Sequence, residues 1–391
     1  MKLTIDTTPI RENARHLSDL AAGRGLGLAV VLKAGAARPE IAAALAAGGI
    51  RRFYLSGPHG MPGLNVVPRE SRALVRLARW SELPDIPLHF GVSVQSDIAK
   101  IEALRQAAAA AGLTHRVLLA VDLGDRREGL LPDEVGAFAA APAGQLNGPL
   151  ALEGLLVNFA CCTRFLPRAE HFRMISRMVQ QVEAITGSRL GTVSIGGSVV
   201  LDHLTGTKKF GRVTEMRSGE ALLLGTITNA RRQLRGLDRN GFIFSGEILE
   251  AKTRPISTDG QRGLDAMNTQ PRIGRHGLRH RLLADFGSLH TAVHGLEPLH
   301  KGLEIVTASG EYTVLDATAL DPRPTVGDRI DFRPDYVALA AALLSPLVDV
   351  EVSTSVALTV GMDNGKPEPR RTPVRRSARL SHRQEKAKIL A

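Results

Sequence analysis

The feature that most constrains the fold is the alternation of short apolar runs with helical stretches over the first 235 residues. Alanine-rich stretches such as 97–111 and 168–186 have the pattern of helices, and the apolar runs have the length of buried strands. Repeated strand–helix units over this length favour a closed parallel barrel. A doubly wound sheet is the competing arrangement, but no GxGxxG motif follows the first run. The predicted strands are 27–32, 51–55, 88–93, 116–122, 151–157, 191–195 and 221–224.

The character of the sequence changes near residue 235. Beyond that point short β-like segments alternate with turn pairs such as Asp259-Gly260 and Ser309-Gly310, and one helical stretch (335–344) interrupts them. This pattern predicts an all-β second domain, with strands at 241–251, 280–286, 303–307, 311–316, 328–333 and 348–352. We therefore expect an α/β protein with a TIM-type (β/α)8 barrel over 1–235, an all-β C-terminal domain over 236–355, and a basic, disordered tail over 356–391.

The net charge of +11 is spread unevenly along the chain. Residues 356–391 contain nine Lys or Arg and three Asp or Glu, so that 9 − 3 leaves +6 in the tail. Several prolines and little apolar periodicity predict disorder there. Such a tail either keeps the chain in solution or contacts an acidic partner such as nucleic acid. We expect no nucleic-acid binding outside the tail.

The two cysteines of the chain, Cys161 and Cys162, are adjacent. Two are too few for a disulfide framework or a zinc cluster, and neighbours seldom pair with each other. We therefore expect no metal site and a reducing, cytoplasmic location. Residues 1–6 have the pattern of a first strand and not of a signal peptide. No apolar run is long enough to cross a membrane, so we expect no membrane partner.

Lys33 is the most informative single residue. It ends the apolar run 28–32 and is followed by small residues and then by a helical stretch that begins near Pro39. Barrel active sites are built at the C-terminal ends of the strands. Partial removal from water at such a place favours the neutral amine, which can form a Schiff base. The alternative is a surface lysine just past the end of a strand.

Four further segments at predicted strand ends carry polar groups, at 121–129, 156–161, 194–198 and 217–220. In Ser194-Ile195-Gly196-Gly197-Ser198 the glycines let backbone N–H groups approach an anion and the hydroxyls add donors, which would suit a phosphate. Arg217 would bind a phosphate, face a ring or lie on the surface. Asn158 would bond a cofactor ring or close a turn.

Taken together and in order, these segments resemble the alanine-racemase-type (fold type III) pyridoxal-phosphate enzymes, and most closely their ornithine racemase branch. The resemblance extends over about residues 2 to 352. Its pieces are Lys33 with Pro39-Glu40-Ile41-Ala42, Asp122-Leu123-Gly124-Asp125-Arg126-Arg127-Glu128-Gly129, Asn158-Phe159-Ala160-Cys161, Ser194-Ile195-Gly196-Gly197-Ser198, Arg217-Ser218-Gly219-Glu220, Gly263-Leu264-Asp265-Ala266 and Asp335-Tyr336-Val337-Ala338-Leu339.

This resemblance implies a pyridoxal 5′-phosphate cofactor, a small amino-acid substrate and a homodimer whose second domains complete each other's active sites. The residues that it places at the cofactor are Lys33 at the aldehyde, Arg127 near the ring oxygen and the substrate carboxylate, Asn158 against the ring, Arg217 at the pyridine nitrogen, Gly197, Ser198, Gly219, Glu220 and Tyr336 around the phosphate, and Ser194 in the same segment.

Arg217 bears on the reaction type. An arginine stays charged and is a poor proton donor, so the ring nitrogen that it faces stays unprotonated and the carbanion is less delocalised. Rapid reprotonation at Cα then favours racemisation, and we expect a racemase that acts on ornithine or a related basic amino acid. The alternatives are a pyridoxal-phosphate-dependent decarboxylase of the same architecture and a diverged, non-catalytic pyridoxal-phosphate-binding protein.

A racemase needs acid–base groups on both faces of Cα. Lys33 serves one face, and the tyrosine that alanine racemases place on the other has no counterpart in residues 249–262. The second domain also departs from the ornithine-type pattern at 287–290 and 307–312. The candidates for the opposite face are therefore Asp265 and then His290, ahead of Tyr312 and Cys161.

Overall fold

A computed structural model describes residues 1–33, 35–57, 66–141, 148–204, 206, 209–227, 232–255, 263–264 and 277–353. Its strands are β1 (Lys2–Asp6), β2 (Gly27–Leu32), β3 (Phe53–Leu55), β4 (Arg72–Leu74), β5 (Val92–Gln95), β6 (His115–Val121), β7 (Leu150–Asn158), β8 (Thr192–Gly196), β9 (Glu215–Ser218), β10 (Thr226–Ile227), β11 (Arg232–Gln233), β12 (Phe242–Pro255), β13 (Leu278–Ala284), β14 (Leu296–Pro298), β15 (Glu304–Ala308), β16 (Thr313–Asp316), β17 (Arg329–Pro334) and β18 (Asp349–Ser353). Its α-helices are α1 (Thr7–Ala22), α2 (Pro39–Ala47), α3 (Ile86–His89), α4 (Ile98–Ala110), α5 (Glu134–Ala140), α6 (Ala169–Thr186), α7 (Glu220–Leu224) and α8 (Tyr336–Leu344).

The strands β2 to β9 form a closed parallel barrel in chain order, and β9 pairs back onto β2. This confirms the predicted barrel. The helix α6 shows how its outer layer forms. Phe172, Ile175, Val179 and Val182 recur every three or four residues and are buried, so one apolar stripe of the helix covers the sheet. Gly187, with a φ of 67°, ends the helix in the left-handed conformation that favours glycine.

Two of the predicted strands are wrong. Residues 221–224 form the short helix α7, and the eighth barrel strand is β9, which lies just before it. All residues of this short helix are buried, so residues 221–224 are all apolar. A run of this kind shows neither the periodicity of a helix nor that of a strand, and the sequence cannot distinguish the two. The strand predicted at 88–93 begins only at Val92, because α3 occupies Ile86–His89.

The second sheet is mostly antiparallel and contains eight strands of the described chain, which confirms the β architecture predicted for the C-terminal part. Its long strand β12 pairs with β1 and β17 along its first half and with β13 along its second. The strand β1 also runs parallel to β18. The first strand of the chain therefore belongs to this sheet and not to the barrel. The domain boundary at residue 235 stays a prediction.

The core of the second sheet contains a row of three aromatic rings. Phe286 packs edge-on against Phe244 of β12 and Phe332 of β17, with ring centroids 5.0 and 5.3 Å apart. All three side chains are fully buried. In the described part of the chain, no helix is both long and apolar enough to cross a membrane.

We expect the substitution Phe286→Ala to lower the free energy of unfolding by about 3–5 kcal/mol, because it removes the middle ring and leaves a cavity. Urea denaturation followed by circular dichroism would measure the change. Val326→Ala is the control: Val326 is 62% exposed, so its loss should cost no more than about 0.5 kcal/mol. Equal effects of the two substitutions would contradict this account of the core.

Candidate active site

A cavity of about 700 Å³ opens at the C-terminal ends of the barrel strands. Barrel strand ends supply most of its wall, and the first residue of α8 reaches it from the second sheet. Nine residues that the sequence places at a cofactor line this cavity together: Lys33, Arg127, Asn158, Gly197, Ser198, Arg217, Gly219, Glu220 and Tyr336.

Lys33 follows β2 directly, and its side chain is exposed to the cavity. Its Nζ makes no hydrogen bond or ion pair to any residue in the ranges described above. The burial of the strand residues before it (Val30 and Leu32 are almost fully enclosed) fixes the point where the side chain emerges. The amine is thus accessible to a small molecule in the cavity.

The segment after β8 and the segment after β9 form a narrow backbone cradle. Gly197 has a φ of 100°, and a Cβ there would lie 2.5 Å from the carbonyl oxygen of Phe159. A Cβ on Gly219 would lie 2.7 Å from the carbonyl oxygen of Val31. Only glycine therefore fits either position. Ser198 and Ser218, whose Oγ atoms are 3.4 Å apart, add hydroxyl groups on this side of the cavity. Such a cradle suits an anion.

Arg217 lies at the floor of the cavity and is only 2% exposed. Its Nη1 donates to Ser194 Oγ (2.7 Å) and its Nη2 donates to the carbonyl oxygen of Val157 (2.9 Å). Its neighbour across the β8–β9 pairing is Gly196, where a Cβ would approach Nη2 to 2.3 Å. The glycine leaves the space that the guanidinium fills. Burial lowers the pKa of Arg217 from its usual value.

Asn158, at the end of β7, is oriented by a buried carboxylate. Its Nδ2 donates to Asp125 (2.8 Å), which also accepts from the backbone N–H of Cys162 (2.8 Å). Burial opposes ionisation of Asp125, but these donors outweigh it and lower its pKa. The amide nitrogen of Asn158 is therefore engaged away from the cavity, and its oxygen lies close to Gly196.

Two arginine–glutamate pairs form part of the wall. Arg127 donates from Nε and Nη2 to Glu128, and this carboxylate is the main cause that raises the pKa of Arg127. Arg76 donates from Nη1 and Nη2 to Glu82 at 2.8 and 2.6 Å. Among the described lining residues, Lys33 and Arg217 are the cations without a direct carboxylate partner, and they give the cavity its positive character.

Tyr336 enters the cavity from α8, whose first turn is capped by Asp335 accepting from Ala338 N–H (2.9 Å). Burial, and to a lesser extent Glu220, raises the pKa of Tyr336. The phenol therefore keeps its proton at neutral pH and can donate a hydrogen bond within the cavity. Glu220 itself accepts from Thr226 Oγ1 at 2.7 Å.

Ser194 and His290, which the sequence also proposes for the site, do not line the cavity. Ser194 is fully buried behind Arg217. His290 is buried in the second sheet region, where its Nδ1 accepts from Gly287 N–H (3.0 Å) and its Nε2 lies 3.7 Å from Glu311. Asp265 lies outside the described residues.

The two remaining candidates for the second face, Cys161 and Tyr312, are both exposed, and Cys161 lines the cavity. Cys161 and Cys162 are not joined to each other. The order of the four candidates for the second face of Cα, with Asp265 first, stays a prediction.

Sequence reasoning gave no role to three residues that bear on the site: Arg76, Ser218 and Glu215. Arg76 follows β4, a three-residue strand that was not predicted, although the apolar residues at 73–75 before a polar side chain carry the signal. Ser218 lies between two residues that were named. Glu215 lies two residues before Arg217. Its hydrogen-bond partners are on β3 and β8, so only the folded barrel shows that it bonds them.

A parallel barrel with an accessible lysine, a glycine–serine anion cradle and a buried arginine at its strand ends, joined to a β sheet, defines a class of barrel enzymes that bind a phosphorylated small molecule. Residues 5–226 match the family described as "Alanine racemase, N-terminal domain". The match covers more than half of the chain, and the chain belongs to this family.

Similar proteins support this assignment. The chain is 26% identical to the ornithine racemase of Acetoanaerobium sticklandii over 351 residues (90% of this chain, 99% of that protein). It is 28% identical to the lysine racemase of Thermotoga maritima over 362 residues (91% and 99%). The fold is similar to that of alanine racemase from Bartonella henselae with covalently bound pyridoxal phosphate, with a TM-score of 0.66, 17% identity, and coverage of 90% of this chain and 99% of that one.

The pair Arg76–Glu82 makes a prediction about acid stability. The hydrogen bonds from Arg76 lower the pKa of Glu82 from 4.5 to about 2, and this carboxylate is 5% exposed. A lowered pKa stabilises the folded state above pH 4.5, and this contribution is lost as the pH falls towards 2. Glu82→Gln should therefore cost about 2–3 kcal/mol at pH 7, and the difference from the unsubstituted protein should shrink between pH 5 and 2.

Urea denaturation at a series of pH values would measure this difference. Glu351→Gln serves as the control, because the Glu351 carboxylate, bonded to Lys2, is 62% exposed; its loss should change the free energy of unfolding far less than the loss of Glu82. A cost of Glu82→Gln that stays constant with pH would contradict the role given to the ion pair.

Proposed function

We propose that this protein is a pyridoxal-phosphate-dependent amino-acid racemase that interconverts the L and D forms of ornithine or a related basic amino acid. The observation that carries the proposal is the presence of Lys33, the Gly197–Ser198 cradle and Arg217 in one cavity. Family membership and the two racemases similar over nine-tenths of the chain support it.

The residues present fit pyridoxal 5′-phosphate. The accessible Lys33 amine would hold the aldehyde carbon, and the cradle that only glycine permits at 197 and 219 would take the phosphate together with Ser198 and Tyr336. The guanidinium of Arg217 would meet the ring nitrogen. When bound, the cofactor withdraws electrons from Cα of the substrate and makes its proton acidic.

The residues of this chain determine where the proton goes. Arg217 stays charged and would donate no proton to a ring nitrogen bound beside it, which favours return of the proton to Cα over other outcomes. Lys33, once the substrate has displaced it, would take and return the proton on one face of Cα. Arg127, fixed by Glu128, would bind the substrate carboxylate.

The same argument separates racemisation from decarboxylation, the alternative reaction. Decarboxylases of this architecture resemble one another in having an acidic residue at the ring nitrogen. Among the described residues of this cavity, the side chain at the floor is Arg217. Release of carbon dioxide with formation of the achiral diamine would favour the decarboxylase, whereas loss of optical rotation with the amino acid conserved and no carbon dioxide released would favour the racemase.

We propose a homodimer in which the second domain of each subunit closes the cavity of the other. The proton donor of the second face would then come from the residues Asp265 or His290 of the other copy, or from Cys161 or Tyr312. Val337 and Leu344 of α8 support this assembly: they are exposed apolar side chains on the helix that carries Tyr336 into the cavity.

We also propose a cytoplasmic location, supported by the two cysteines that form no disulfide. The basic tail at 356–391 lies outside the described residues. We propose that it is disordered and takes no part in catalysis. Nucleic-acid binding, if present, is assigned to that tail.

The experiment that tests the function is incubation of the protein with pyridoxal phosphate and L-ornithine, L-lysine or L-alanine in D2O. We expect deuterium at Cα together with loss of chirality, fastest for a basic substrate. Lys33→Ala should abolish both the deuterium incorporation and the visible absorbance band of the lysine-bound cofactor, because no amine remains to hold the aldehyde.

Lys100→Ala is the matched control, because Lys100 Nζ bonds the carbonyl oxygen of Ala78 (2.9 Å) and does not line the cavity. It should keep both signals. A visible band that persists in Lys33→Ala would refute the assignment of this lysine.

The cradle makes a separate prediction. Gly197→Ala should weaken cofactor binding by at least about tenfold, or about 1.4 kcal/mol, because the new Cβ meets the Phe159 carbonyl oxygen and the backbone has a positive φ. Equilibrium dialysis with pyridoxal phosphate would measure the dissociation constant. Gly187→Ala also places a side chain at a positive φ (67°), there in the left-handed helical region, but no atom lies within 4 Å of the new Cβ, and it should bind the cofactor normally. Equal losses of affinity would indicate general destabilisation instead.

A further inference from the structure

A chain of hydrogen bonds runs from Arg217 into the interior of the barrel. Arg217 Nη1 donates to Ser194 Oγ (2.7 Å), and Ser194 in turn donates to Oε1 of Glu215. The hydroxyl of Tyr54 donates to the same carboxylate oxygen at 2.7 Å. The Tyr54 ring also lies against the guanidinium of Arg217, which is 5.3 Å from the ring centroid. Tyr54 and Ser194 are fully buried.

The barrel register brings these groups together. Glu215 and Arg217 are two residues apart on β9, so their side chains point to the same face of the strand. Ser194 of β8 is the direct neighbour of Glu215, and Gly196 is the direct neighbour of Arg217. The carboxylate therefore lies one step below the guanidinium on the inside of the barrel.

We propose that Glu215 is a positioning residue that holds Arg217 at the pyridine nitrogen through Ser194 and Tyr54. This inference rests on the proposed function. In this proposal Ser194 does not contact the cofactor. It lies behind Arg217 and links the guanidinium to the Glu215 carboxylate by hydrogen bonds.

The energetic reason is the burial of a charge. Arg217 is enclosed, and no carboxylate forms a direct ion pair with it in the described residues. A buried cation needs a nearby negative charge and satisfied donors, and Glu215 supplies that charge one hydroxyl away. Burial together with Glu215 raises the pKa of Tyr54, so the phenol stays protonated and keeps donating to the carboxylate.

The consequence for the reaction is control of the ring nitrogen. A guanidinium held at that atom would occupy the place from which water could otherwise approach and protonate it. If Arg217 turns away, the ring becomes a stronger electron sink. The substrate proton would then add to the cofactor carbon more often than it does when Arg217 is held in place. Water would hydrolyse the C=N bond that results, releasing a keto acid and leaving the substrate nitrogen on pyridoxamine phosphate. Glu215 would thus increase the rate of racemisation and also limit the side reaction that forms pyridoxamine phosphate.

The outer end of the network offers a matched control. Arg52 lies with Nε 3.7 Å from Glu215 and also donates to Glu153. Glu153 accepts from Thr192 Oγ1 (2.6 Å) and, within the described residues, forms no hydrogen bond or ion pair with Ser194 or Arg217. The two glutamates are similarly buried, with side-chain exposures of 12% and 8%. Removal of either charge perturbs Arg52, but only Glu215 connects to Arg217.

The test compares Glu215→Gln with Glu153→Gln, each as the protein loaded with pyridoxal phosphate. Gln keeps the shape and an acceptor oxygen but removes the charge. For Glu215→Gln we expect kcat to fall by at least about tenfold and the yield of pyridoxamine phosphate per racemisation event to rise by about tenfold, with a pH-dependent change in the cofactor absorbance. Glu153→Gln should match the unsubstituted enzyme in all three measurements.

Crystal structures of the cofactor-free variants give a readout that does not depend on activity. In Glu215→Gln the hydrogen bond between Arg217 Nη1 and Ser194 should be lost, while Glu153→Gln should keep it. If Glu215→Gln does not fold, Ser194→Ala, which cuts the same link with a smaller change, should reproduce the spectral change and the side reaction.

An unchanged Arg217 in Glu215→Gln, an unchanged product ratio, or equal effects of the two glutamate substitutions would overturn the proposal. Failure of the proposed function looks different: the unsubstituted protein would then bind no pyridoxal phosphate through Lys33 and would incorporate no deuterium at Cα.

Discussion

The structure depends on a guanidinium enclosed in a barrel. Arg217 is almost completely buried, and a charge in that position is tolerated only where its donors are satisfied and opposite charge is near. The barrel meets both needs with residues from neighbouring strands: a carbonyl oxygen of β7, a hydroxyl of β8 and a carboxylate of β9. Gly196 provides the space. The same strand ends place Lys33 and the glycine–serine cradle around the mouth of the barrel, so the cation below and the cradle above face one cavity.

The charges of the cavity wall follow a simple division. The arginines of the rim, Arg76 and Arg127, are each paired with a glutamate and are therefore fixed in place with little net charge. Lys33 is left without such a partner in the described chain, which suits a group that has to react. An anionic cofactor would thus meet the positive charge of Lys33 and Arg217, whereas Arg127, held in place by Glu128, would present its guanidinium to the substrate carboxylate.

Local patterns in the sequence predicted the barrel and most of its strands, and they singled out Lys33 as a polar residue at the end of an apolar run. The resemblance to a known family placed eight further residues at the cofactor, and all nine line the cavity. The sequence could not predict partners that come together only through strand order. Glu215 precedes a strand-end residue in the sequence, and nothing local shows that Tyr54, more than 150 residues earlier, bonds it. Local patterns also failed where they are ambiguous, as in the buried helix α7, and where an element is very short, as in β4.

The central claim is that Arg217 keeps the ring nitrogen of the bound cofactor unprotonated. Nitrogen-15 NMR of the holoenzyme, loaded with pyridoxal phosphate labelled at the ring nitrogen, tests it directly. The account predicts the chemical shift of an unprotonated pyridine nitrogen throughout the pH range in which the protein stays folded. A shift typical of a pyridinium at neutral pH would contradict it.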